Sequence, residues 1–261
     1  MTTKTMWVRR TAAAVGTLSV AGALVFAFAP ISSAAVPIAG GPIGGAPVAA
    51  ATASAGTGRN LPAAKAAVDA RIKLRLATLS ALKIAITGAT DLTSSDKSTL
   101  TGIVSGDVSG LTALQRKVDG ETTVAAVKTD GRAMIVDYRV YMLVVPKVRF
   151  NIASDKETTN IAKLKSAHDK LAKLATQLAG QGKDTSAVQA KLDDLSTKLD
   201  AATSALGTKA ATLLGVAPSA DPAAMKAAVA PVRAAVKAAR ADLKAALADA
   251  KAARNGLKTL S

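Results

Sequence analysis

His168 is the only imidazole in the 261 residues, and the chain has no cysteine. A two-histidine zinc site, thiolate catalysis, cysteine-ligated metal and disulfides are therefore excluded by count. His168 lies on or beside an apolar helix face, and its neighbour Asp169 points to a different face, so a packed or partly exposed structural imidazole is expected. The carboxylates are dispersed, with Glu121 and Glu157 the only glutamates. Asp193 and Asp194 are adjacent and so turn to different directions on a helix, where they read as solvated charge. No calcium-loop spacing appears. Gly40, Gly41, Gly44 and Gly45 have neither a preceding strand nor a following phosphate-binding lysine, so they match no nucleotide-binding loop. Thr101-Gly102 and Ser105-Gly106 provide no nucleophile elbow. No convergent catalytic set emerges, which implies a non-enzymatic protein without cofactor, metal or specific small-molecule ligand.

Two groups of residues could instead make contacts. Tyr138 and Tyr141 are the chain's two tyrosines; three residues apart, they can share a helix face with Arg139 and Lys147 nearby. Tyr138, Arg139, Tyr141 and Lys147 form the candidate interaction site, the competing role being to plug the bundle with scarce large side chains. The second group is the C-terminal series Lys226, Arg233, Lys237, Arg240, Lys244, Lys251, Arg254 and Lys258, interleaved with alanines. From Arg233 onward these are candidate anion contacts. Such Lys/Ala helices resemble the tails of bacterial nucleoid proteins and linker histones, which implies phosphate neutralisation. Here Asp242 and Asp249 dilute the charge, and no aromatic interleaving serves base stacking. Nucleic acid is accordingly the weaker alternative to an anionic polymer.

The N-terminal sequence sets the compartment. Lys4, Arg9 and Arg10 precede an apolar run from Thr11 to Ala29, broken by Pro30 and followed by small residues through Ala35. That order predicts a secretory signal peptide over 1–35; a retained signal would instead anchor the chain in a membrane. Residues 36–60, rich in Gly, Pro and Ala, read as a disordered linker. The formal charge is +16, or +13 once the three cations of the signal are removed. An exported chain so basic is drawn to polyanions in a salt-dependent way.

Aromatic residues make up only 2% of the chain while hydrophobic residues reach 49%, much of it alanine. A thick core of large side chains is out of reach, and closely packed helices are the remaining solution. The predicted fold is all-α: an elongated antiparallel helical bundle of coiled-coil hairpins. Its two parts are a helical region over 61–150, irregular over 121–150, and coiled-coil-like helices over 151–261. Asn60 with Pro62 opens the first helix, which ends near Gly88; Ser94 or Ser95 opens the second, weakened by Gly102, Gly106 and Gly110 and stopped by Gly120. Gly131 interrupts the next stretch. Residues 132–150 carry both strand-like β-branched content and a helical face, and a helix kinked at Pro146 is favoured over a short strand.

Beyond Ser154, Ile161, Leu164, His168, Leu171, Leu174 and Leu178 mark one helix face, ended by Gly180-Gln181-Gly182. Val188, Leu192, Leu195, Leu199, Ala202 and Leu206 continue a heptad up to Gly215, so the two helices should form an antiparallel hairpin. Asp221-Pro222 then starts a helix with a/d spacing from Met225 to Leu260 and a kink at Pro231. Its alanine seam demands a close partner, which self-association could also supply.

The alanine-rich precursor, the segment Asp137-Tyr138-Arg139-Val140-Tyr141 with Pro146-Lys147, and the Lys/Ala/Asp hairpins together resemble secreted helical proteins of high-GC Gram-positive bacteria over roughly residues 61–215. That resemblance implies an envelope or extracellular location and no catalytic residue. The expected function is that of an exported structural or interaction protein whose partner is a cell-envelope component or an anionic polymer.

Overall fold

The computed structural model describes residues 60–261, so the expected signal peptide over 1–35 and nearly all of the expected linker over 36–60 lie outside the described residues. The chain is all-α, with long helices packed against one another. Its elements are α1 (Leu61–Gly88), α2 (Ser94–Gly120), α3 (Val124–Val136), a π-helical turn (Val140–Val144), α4 (Val145–Gly180), α5 (Ser186–Leu206), α6 (Lys209–Leu214) and α7 (Pro222–Leu260). Among the described residues no strand occurs, and no helix is long and apolar enough to cross a membrane.

Helices α1 and α2 form an antiparallel hairpin. Lys65 Nζ donates to the Asp119 carbonyl at 2.7 Å near one end, and Lys97 Nζ to the Thr87 carbonyl at 3.4 Å near the other. The turn between them works because Thr93 caps α2, its hydroxyl accepting the Asp96 N–H at 3.1 Å and so satisfying one of the free donors of the first turn. Asp155 from α4 accepts the Thr93 N–H at 3.1 Å. At the start of α1, by contrast, Asn60 makes no side-chain cap, so Pro62 alone carries the start signal there. Ile72, Leu79 and Ile86 of α1 pack with Leu100, Val104 and Leu111 of α2, Val127 and Met134 of α3, and Val148 of α4.

The second part is a three-helix bundle of α4, α5 and α7. Lys165 pairs with Asp200 at 3.4 Å, Lys198 with Asp249 at 2.6 Å, and Arg240 with Glu157 at 2.8 Å. Helix α5 is antiparallel to α7, because Val188 lies beside Gly256 while Lys198 pairs with Asp249, and the short connection over 181–185 with the Lys165–Asp200 pair turns it antiparallel to α4. All six expected heptad positions of α5 are buried, and so are the α7 positions from Met225 through Leu257. The partner that the alanine seam of α7 demands is thus within the same chain. A Cβ at Gly256 would lie 2.8 Å from Val188 Cγ2, which shows how closely α5 approaches.

Several local expectations are corrected. Gly131 does not interrupt but lies inside α3, where a Cβ would come within 3.1 Å of Val68 on α1. Pro146 does not kink a helix; it sits in the first turn of α4, where its missing N–H goes unused. A 36-residue α4 therefore runs through the expected division at 150/151. On α4 the seam uses Ala167 and Ala175 rather than His168 and Leu174, which are only partly buried on its flank. The α5 heptad ends at Gly207, whose φ of 44° turns the chain into α6, and not at Gly215. Helix α7 runs from Asp221, whose side chain accepts the Ala223 N–H at 2.8 Å, through Pro231 to Leu260.

A seam this close has no room for a larger side chain. Ala246→Leu, at a fully buried α7 position, is expected to cost about 1–3 kcal/mol by overpacking. Thermal melting followed by circular dichroism should show a drop of about 2–10 °C.

Candidate functional site

The four residues singled out between 138 and 147 lie where the chain passes from the α1–α3 part into α4. Helix α3 stops at Val136, and Arg139 then adopts φ 43° and ψ 36°, the one positive φ outside glycine among the described residues. A left-handed arginine costs roughly 1–2 kcal/mol, and its surroundings account for it. The Arg139 carbonyl accepts the N–H of Met142, Leu143 and Val144, which winds the next five residues into a π turn. This break separates the two tyrosines. Tyr138 is half-buried against α2, and a Cβ at Gly110 would lie 2.5 Å from its Oη. Tyr141 is 44% exposed, with the Arg75 guanidinium 5.2 Å from its ring centroid. They do not share a face, because the helix that would have aligned them is interrupted at the residue between.

Arg139 and Lys147 are both buried, and both point at the connector between α6 and α7. Arg139 Nε donates to the Ser219 carbonyl and Nη2 to the Ala220 carbonyl, each at 2.6 Å. Lys147 Nζ donates to the carbonyls of Leu214 at 2.8 Å and Val216 at 2.6 Å. Leu214 ends α6, so its carbonyl has no intrahelical partner, and an ammonium there is favourably placed. One cation thus holds the start of the connector and the other its end, just before the Asp221 cap of α7. Asn151 extends the cluster by donating to the Lys147 carbonyl at 2.8 Å.

Asp107 of α2 faces the same cluster. Its Oδ2 is buried without a hydrogen-bond partner, and burial pushes its carboxyl up to about 6, an effect the Lys147 ammonium only partly offsets. Burial in turn pulls the Lys147 ammonium below its ordinary value, with Asp107 opposing, and raises the Tyr138 phenol. Asp130 and Glu157 are also buried, bonded to Lys117 at 2.6 Å and Arg240 at 2.8 Å. These three carboxylates are not solvated helix charge. Asp193 and Asp194 are exposed, and His168 Nδ1 lies 3.1 Å from Asp169 Oδ1, nearer than their sequence adjacency suggested.

Next to the break, Arg75, Ile135, Arg139, Val140, Tyr141 and Met142 line a depression of about 50 Å³. That is room for one or two waters, well below the few hundred Å³ of a small-molecule site. Among the described residues no group of three or more acidic or histidine side chains is placed to hold a metal.

The α7 cations are disposed differently. Lys226, Arg233, Lys237, Lys244, Lys251 and Lys258 are exposed, whereas Arg254 is partly buried and Arg240 is tied to Glu157. Lys237, Lys244, Lys251 and Lys258 recur every seventh residue, which places them in one row about 10 Å apart at ~1.5 Å per residue. Asp249 does not dilute that row. Its carboxylate is turned toward α5, 2.6 Å from Lys198 and 3.5 Å from Lys191, and is only 13% exposed. No known protein family, curated protein or solved structure matches the chain.

Two outcomes are expected at the junction. Arg139→Met removes two charged hydrogen bonds, each worth about 1.5–3 kcal/mol, while keeping most of the side chain's volume. A fall in melting temperature of at least about 4 °C should follow, with helix content retained at low temperature. For Asp107 the sign is opposite to that of an ordinary paired carboxylate. Its folded value lies above the unfolded 3.8, so the native state holds the extra proton, and stability falls as pH rises from about 4 to about 6. Asp107→Asn should therefore be more stable than wild type at pH 7, the advantage vanishing by pH 4, as read from urea midpoints across that range.

Proposed function

We propose that this chain is an exported, non-enzymatic interaction protein of the cell envelope that binds an anionic polymer along the outward face of α7. The observation that carries this reading is the row Lys237, Lys244, Lys251 and Lys258, all four exposed, with Asp249 paired inward to Lys198 so that Asp242 is the one acidic residue of α7 left beside the row. Neighbouring lysines in the row are about one Debye length apart at physiological ionic strength. Their mutual repulsion is then modest, and a polyanion that spans them neutralises all four at once. Arg233 and Lys226 continue the exposed positive charge toward the start of the helix.

The buried state of Arg139 and Lys147 argues for a division of labour among the cations. Those two donate to carbonyls inside the chain, which supports an architectural role for Arg139 and Lys147, while Tyr141 remains exposed. Nucleic acid stays the weaker partner, since no aromatic side chain occurs anywhere in 222–260 to stack a base. The envelope assignment rests on the export signal read from the sequence.

The test is binding of the full chain to a poly(glycerol phosphate) wall polymer across a salt series, alongside a variant with Lys237, Lys244, Lys251 and Lys258 all changed to Gln. Each phosphate contact contributes roughly 0.7–0.9 to the slope of log K against log salt. The variant should lose affinity and show a slope shallower by about 3, with an unchanged circular dichroism spectrum. Equal slopes for the two proteins would refute an α7 binding face.

A further inference from the structure

The two most exposed large hydrophobic side chains, Leu74 at 61% and Ile84 at 72%, are both on α1. They belong to a second seam on that helix. The inner face of α1, through Val68, Ile72, Leu79 and Ile86, is buried against α2, α3 and α4. On the opposite side Ala67, Ala70, Leu74, Ala77, Ala81 and Ile84 follow alternating three- and four-residue steps, and every one is exposed. Ala63 and Gly88 extend the same spacing to both ends of the helix. A helix with one such seam packed and the other open is built for two partners, and the described residues supply only one.

We propose that the open seam is covered by α1 of a second copy of this chain, packed antiparallel about a two-fold axis between residues 75 and 76. In antiparallel coiled coils the two kinds of core position face each other across the seam. Pairing about this axis sets Leu74 against the partner's Ala77, Ile84 against the partner's Ala67, and Ala70 against the partner's Ala81. Each large side chain then meets a small one, which is the alternation close packing requires. A parallel pair would set Leu74 against its own copy and Ile84 against its own copy, with alanine on alanine elsewhere, leaving bulges beside gaps.

The charges flanking the seam favour the same arrangement. Arg71 and Lys73, on either side of it, fall opposite the partner's Thr78 and the partner's Ser80, so no cation faces a cation. Asp69, the only acidic residue of α1, pairs with Lys73 at 2.8 Å within the same helix and so lowers the net positive charge beside the seam. The paired stretch from Ala63 to Gly88 is about 38 Å long at ~1.5 Å per residue, and because the contact is isologous the assembly closes at two copies. It uses neither α7 nor the junction, so a dimer would present two α7 lysine rows to one polymer, raising avidity without any new polymer contact.

Sedimentation of the full chain over a concentration series, with and without Ala77→Glu, tests the contact. Position 77 is exposed in the single chain, so the variant folds, but in the dimer it places two carboxylates close to the axis. Wild type should sediment as a concentration-dependent dimer, and the variant should dissociate at least tenfold more readily. A wild-type monomer at every concentration, as would follow if residues 1–59 covered the seam in cis, overturns the proposal. So does a dimer indifferent to the substitution. Orientation is read separately, because the chain has no native cysteine. A mixture of Ala70→Cys and Ala81→Cys chains should form a disulfide-linked pair under mild oxidation while neither does so alone. Cross-linking of each variant with itself would show a parallel contact and refute the antiparallel one.

Discussion

How closely two helices approach in this protein is set by alanine. With so few large side chains available, apolar burial has to come from many small contacts along long helices rather than from a thick central core. The α5–α7 contact shows the consequence: Ala239, Ala246, Ala250 and Ala253 are essentially inaccessible, and at Gly256 even a methyl group would collide with Val188. Length compensates for thinness. Helices of 36 and 39 residues carry enough seam positions for small gains, each near the scale of one or two methylenes, to accumulate against the entropy of ordering the chain.

Long helices leave the connectors with little apolar material of their own, and buried polar groups fix them instead. The connector between α6 and α7 is held by Arg139 and Lys147 through four carbonyls. Arg139 reaches that position by adopting a left-handed backbone that also starts the π turn and so aims α4. Strain at one residue, the direction of a 36-residue helix and the anchoring of the connector are thus a single feature. Asp107 is the imperfect member of the cluster: burial raises its carboxyl, and its unpaired oxygen makes the junction sensitive to pH.

What could be read from the sequence follows from which signals are periodic. The six α5 heptad positions and the α7 seam from Met225 through Leu257 were legible, because each needs only spacing on one helix, although buried Ala235 was missed and Leu260 is only partly buried. On α4 the pattern was misread at His168 and Leu174, since a partly buried long side chain on a flank cannot be told by spacing from a seam position, and Ala167 and Ala175 carry too little hydrophobic signal to compete. The break at Arg139 was not legible at all. No glycine marks the positive φ, and the hydrogen bonds that stabilise it come from residues some 80 positions away. By spacing alone Gly110 reads as a weakness of its helix and Gly131 as an interruption, whereas each is the site of a close approach by Tyr138 or Val68. The exposure of the α7 lysines was legible from the heptad, but the inward turn of Asp249 toward α5 was not.

The chain divides its cations between internal fastening, at Arg139 and Lys147, and external presentation, on α7. Acetylation of the native full chain with a lysine-reactive ester, followed site by site by mass spectrometry, tests it most directly. Lys237, Lys244, Lys251 and Lys258 should react as readily as the other exposed lysines and at similar rates, while Lys147 stays protected until the protein is unfolded. Acetylation of Lys147 in the native state at the rate of the α7 row would contradict it.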